Sequence, residues 1–165
     1  MPVFYLKRVL ILLSTLYGYQ NHKFFRGTIM HYDEFLQEVK KRAELADESA
    51  AAAIVDASLS TLGERLESAD RESLGAQLPK ELKAVLYERQ SGDLFNLEEY
   101  YNRVGARAGT GYRDAVRYSR VVMSVLSIAV TSGLLSQILS SLPGEFAELF
   151  GQKPLTPLSP SSLPE

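Results

Sequence analysis

Few residues in this chain could do bond-making chemistry. Its only histidines are His22 and His31. Both lie at or before the edge of the helical body, which argues against a zinc site or a histidine base. With no cysteine, the chain has no thiolate nucleophile, thiolate metal site or disulfide. Serines are common, but an acyl-transfer triad needs a histidine inside the body. Glu34 with Glu38, and Glu44 with Glu48, are carboxylate pairs four residues apart. Metal-carboxylate bundles use inward Glu-x-x-His pairs, and the chain has none, so these acids predict solvated helix faces. Gly105, Gly109 and Gly111 mimic a phosphate loop only superficially, since no strand precedes them and no Gly-Lys-Ser/Thr follows. Gly109 reads better as the left-handed terminator of a helix ending at Ala108. No enzyme activity, metal or cofactor is expected.

The better chemistry is that of recognition. Arg103 and Arg107 are four apart, and Arg113, Arg117 and Arg120 follow at four-three spacing. Tyr100, Tyr101, Tyr112 and Tyr118 interleave with them. Arginine and tyrosine are enriched where binding energy concentrates. Arg103, Arg107, Arg113, Arg117, Arg120, Tyr101 and Tyr112 therefore form the candidate partner surface. The competing reading, and the stronger one, is that these arginines pair within the molecule with acids earlier in the chain.

Charge is unevenly spread. Residues 1–30 carry four bases and no acid; residues 32–88 carry 13 acids and 7 bases; residues 97–152 carry five of each. So acidic a body is a poor non-specific ligand for nucleic acid, which needs a basic face. With 45% hydrophobic and 23% charged residues, the body has enough apolar material to exclude the disordered class.

The chain divides at residues 30 and 152. Residues 1–29 are basic and aromatic, with an uncharged run over 9–19. The run is too short for a membrane-spanning helix, which needs about 20 apolar residues. It has the length of a signal-peptide core, but no small-residue cleavage pattern follows. Three readings are open: translation starting at Met30, a signal-like or membrane-surface segment, or a true extension. The helical periodicity that begins at Tyr32 supports the first. Residues 153–165 carry prolines at 154, 157, 160 and 164, which forbid helix and predict a disordered tail.

Between these ends the sequence repeats. At an offset of 65, Glu34-Phe35 falls on Glu99-Tyr100, Val39 on Val104 and Arg42 on Arg107. After one residue is lost near Thr110, the offset becomes 64. Leu59 then falls on Met123, Leu62 on Leu126, and Leu78-Pro79-Lys80-Glu81 on Leu142-Pro143-Gly144-Glu145. The copies span 32–88 and 97–152. Each reads as three to four helices: 32–42, 48–66, a third opened by Ser68, and 80–87 in the first copy. Asp47 and Asn96 are the N-caps, with Glu99 completing a capping box. Ser68 and Ser132 are placed to cap the third helix of each copy. Val55, Leu59, Leu62 and Leu66 recur at four-three-four spacing, one apolar stripe. No stretch alternates with period two, so the fold class is all-α, two tandem copies in one compact domain. Residues 121–144 carry no charge. Serines punctuate the run, and the matching stretch of copy one holds Glu64, Arg65, Glu67, Asp70, Arg71 and Glu72. It therefore predicts a buried helix pair or a self-association face, not a membrane span.

Tyr32-Asp-Glu-Phe-Leu, Ser58-Leu-Ser-Thr-Leu-Gly-Glu-Arg-Leu and Ala76-Gln-Leu-Pro-Lys-Glu-Leu resemble the prokaryotic domain of unknown function 2267. Tyr100-Tyr-Asn-Arg-Val and Leu142-Pro-Gly-Glu-Phe fit as well. The resemblance covers about residues 30–151. It implies a compact helical domain from bacteria or archaea that begins near the Tyr-Asp-Glu-Phe motif, and it implies no activity. The expectation is a cytoplasmic interaction or structural module whose partner is an unidentified protein or a second copy. The alternative is a regulatory domain binding a small ligand in an apolar pocket between the copies.

Overall fold

The computed structural model describes residues 29–153. The expectations for residues 1–28 and 154–165, a misassigned start or signal-like segment and a disordered tail, lie outside them. Every described element is helical. Seven α-helices run α1 (Tyr32–Ala43), α2 (Glu48–Arg65), α3 (Ser68–Gln77), α4 (Lys80–Leu86), α5 (Leu97–Ala108), α6 (Tyr112–Ala129) and α7 (Ser132–Ser141). A 3₁₀ segment, Gly144–Phe150, follows. The four elements of the first half have 12, 18, 10 and 7 residues. Those of the second half have the same lengths in the same order.

Local chemistry sets the boundaries. The Asp47 carboxylate accepts from the Ala50 amide at 2.8 Å and opens α2; the Asn96 side chain accepts from Glu99 at 2.9 Å and opens α5. Each satisfies an amide that has no partner inside its helix. Glu99 does not close the expected box, because its carboxylate turns to Arg103 Nε at 2.9 Å. Instead the Leu97 amide donates to Glu145 across the fold at 3.0 Å. The reciprocal contact occurs at α1, where the His31 amide donates to Glu34 at 3.0 Å. Helices α1 and α5 end alike, in left-handed backbone, with Glu44 at φ 55° and Gly109 at φ 67°. Ser68 and Ser132 do not cap; both lie one residue inside their helices, after Glu67 and Thr131. The Thr131 hydroxyl takes the capping role in the second half, accepting from Leu134 at 3.3 Å. Pro79 and Pro143 precede the last elements in extended backbone, ψ 155° and 143°. The second of these elements is 3₁₀ where an ordinary helix was expected.

Helix α2 packs most extensively on α5, and α1 packs on α6. The pattern is reciprocal: the first helix of each half meets the second helix of the other. Helices α2 and α6 also touch, as do α3 and α7. One continuous apolar core results, with Phe35, Leu59, Leu62, Tyr100, Met123 and Phe146 fully buried. Residues of both halves fill the seam between them. The Tyr100 hydroxyl donates to the Ser58 carbonyl at 2.9 Å, and its ring meets Phe146 edge-on at 6.0 Å. Burial pushes that phenol well above its ordinary pKa. No helix among the described residues is long and apolar enough to cross a membrane.

The charged stretch at the end of α2 is not a solvated face. Glu64, Arg65, Asp70 and Arg71 are all buried. Arg71 reaches back from α3 and donates to the carbonyls of Gly63 and Leu66, both at 2.7 Å. A cation at the C-terminal end of α2 is also favoured by the helix dipole. Arg71→Met keeps the volume but leaves two buried carbonyls unmet. A loss of about 2 kcal/mol is expected from urea unfolding, with little recovery in Arg71→Lys, whose single ammonium cannot reproduce the fork.

Candidate partner-binding surface

Helices α5 and α6 carry the candidate arginines, but the packing gives them different fates. On α5, Arg103 and Arg107 are four apart and therefore share one side of the helix. That side faces α2. Arg107 Nη2 lies 2.6 Å from one oxygen of Glu64, and Arg103 Nη1 lies 2.8 Å from the other. Arg107 Nη1 also donates to Thr61 Oγ1 at 2.6 Å, and the Ser91 hydroxyl donates to Glu64 at 3.1 Å. Arg103 further pairs with Glu99 and lies over the Phe95 ring, 4.1 Å from its centroid. Burial by itself would raise the Glu64 pKa. The hydrogen bond and charge of Arg107, the Ser91 hydroxyl and the Arg103 charge outweigh it, and the carboxyl sits below its ordinary value.

Tyr101 is buried, 3% exposed, with its ring edge-on to Tyr112 at 6.0 Å. It does not belong to the surface, and burial raises its phenol pKa. Arg120 forms an ion pair with Glu148 of the 3₁₀ segment. Three of the seven candidate residues stay available: Tyr112, 48% exposed, with Arg113 and Arg117, both exposed on the first turns of α6. Arg117 donates to the Ala43 carbonyl at 2.6 Å, closing the end of α1, and lies over the Tyr118 ring. Neither Arg113 nor Arg117 has a carboxylate within ion-pair distance among the described residues. Lys40 and Lys41, in the last turn of α1, extend the positive field beside them.

The sequence alone pointed to pairing of these arginines with acids earlier in the chain but did not single out Glu64. The only signal that could have singled it out is the four-residue spacing of Arg103 and Arg107, whose two forks can share one carboxylate. That signal is unreadable until α5 is known to lie on α2. A polar cleft of about 450 Å³ lies beside Leu66, Ser68, Arg71 and Gln90. Its one buried cation, Arg71, is already engaged with α2 carbonyls. Among the described residues no three His, Asp or Glu side chains gather closely enough to hold a metal ion.

These features define an all-α protein whose halves share one core and whose seam is tied by a buried carboxylate between two arginines. The chain belongs to the DUF2267 family, described as an uncharacterized conserved protein, whose model matches residues 32–149. No curated protein matches it.

Proposed function

We propose that this chain is a non-catalytic helical interaction module of the cytoplasm, binding a protein partner through the start of α6. The observation that carries the reading is the contrast among its arginines. Arg103, Arg107 and Arg120 are neutralised internally. Arg113 and Arg117 are exposed on the same helix as the exposed Tyr112, Arg117 lies over the Tyr118 ring, and neither arginine has a carboxylate within ion-pair distance among the described residues. Arginine next to an exposed aromatic ring is the composition of a binding hot spot. The lack of cysteine fits a reducing compartment, and the matching element lengths of the halves support a tandem duplication.

The test is co-purification of the tagged protein from its own host, comparing wild type with Arg113→Glu, Arg117→Glu. A stoichiometric protein partner should fall at least about tenfold, a change of ~1.4 kcal/mol. Stability should fall by no more than ~1 kcal/mol, the value of Arg117 at the α1 terminus. Undiminished recovery of every partner would overturn the α6 assignment.

A further inference from the structure

We infer that the arginine face of α6 is met by the acidic face of a second copy of this chain, so that copies join head to tail. The inference rests on the reading of α6 as a binding surface and names what binds there. At the 64-residue offset, the outward positions Ser49, Ala53 and Asp56 of α2 correspond to Arg113, Arg117 and Arg120 of α6, and all six are exposed. The same face of the same element is small and acidic in one half, and built of long cations in the other. Small residues at 49 and 53 leave room for what the second half projects at those positions.

The field around Asp56 is strongly negative. Asp56 is exposed but partly desolvated, and this desolvation first, then the Glu88 charge, pushes its carboxyl above its ordinary value. Burial, followed by Asp56, Glu48, Glu81 and Asp33, does the same to the Tyr32 phenol. None of these five acids is within ion-pair distance of a cation among the described residues. The α4 lysines, Lys80 and Lys83, form no pair with them. The α6 side is opposite in sign, Arg113 and Arg117 with Lys40 and Lys41, against Asp114 and Glu44, which are also unpaired. Complementary fields of this kind steer association and fix its register. In this head-to-tail arrangement, each contact uses one face of each copy and leaves the other free. Such a contact is heterologous and extends into chains or a ring.

The test is sedimentation velocity on the full chain, from about 10 μM to about 1 mM protein, because exposed ion pairs bind weakly. Runs at about 50 mM and about 500 mM salt separate screened from unscreened association. Species larger than a dimer are expected at low salt and high concentration, collapsing to monomer at high salt. Arg113→Gln, Arg117→Gln and Asp56→Asn, Glu88→Gln should each be monomeric alone. Mixed in equal amounts, they should give a discrete dimer, since each variant keeps one working face. Arg113→Gln alone, at an exposed side chain with no ion pair among the described residues, should weaken assembly about tenfold and guards against loss of the Arg117 contact to α1. A chain monomeric throughout, or a dimer that persists in high salt, would overturn the inference. The binding role of α6 would then stand or fall separately, on the co-purification.

Discussion

Gly63→Ala is expected to destabilise the protein by about 3 kcal/mol, the upper end of what overpacking a core costs. The melting temperature should drop on the order of 10 °C. Gly63 lies near the end of α2, where α4 crosses it backbone to backbone. A Cβ there would sit 2.9 Å from the carbonyl carbon of Leu86 and closer still to its oxygen. Backbone cannot rotate away as a side chain can, so the helices must separate. Separation would also disturb Leu82 and Leu86, both fully buried, and the Gly63 carbonyl that Arg71 holds. Helix propensity acts in the other direction, since alanine is better than glycine in a helix interior by about 1 kcal/mol. The sign of the measured change therefore separates packing from propensity. Gly133→Ala is the control. Gly133 is exposed in α7, with no atom within 4 Å of where its Cβ would lie. A gain of up to ~1 kcal/mol is expected there. A stabilised Gly63→Ala in thermal unfolding would mean that α2 and α4 do not approach this closely.

Glu64→Gln should cost about 2–3 kcal/mol at neutral pH. Removing one member of a fully buried ion pair costs about 3–5 kcal/mol. Here the effect is smaller, because Arg103 and Arg107 keep 25% and 19% of their side chains exposed, and water screens what is left. The pH dependence is the sharper readout. The folded carboxyl has a lowered pKa, so the ionised form is the one the fold prefers. Its contribution is fully present above the unfolded value, about 4.3. It is lost as pH falls through the lower, folded value. The stability gap between wild type and Glu64→Gln should be complete at pH 7 and close progressively below about pH 4. Urea midpoints across that range measure it. A gap independent of pH would show that Glu64 contributes shape and not charge.

Much of the helical layout was legible in the chain. Asp47 and Asn96 start α2 and α5, Gly109 ends α5, and the expected limits of α1 and α2 agree with the structure to within one residue. These signals act over one helical turn. The cap of the third helix was misread by one position, because a serine beside the true cap position looks the same in sequence. In the first half that position is Glu67, whose side chain makes no capping bond. The last element was read as an ordinary helix, and nothing local distinguishes the 3₁₀ form of Gly144–Phe150. The candidate surface was legible only as residue types: it merged arginines that the fold sends to opposite fates.

What the sequence determined by itself is the all-helical class, the helix boundaries and the apolar stripes, since these depend on residues within four positions of one another. Tertiary structure alone decided which charges are surface and which are seam. Glu64 meets Arg103 and Arg107 from about 40 positions away in the chain, and Gly63 meets Leu86 only where α4 crosses α2. Such pairings arise from how the helices stack. A helix face carries the same sequence pattern whether water or another helix lies against it.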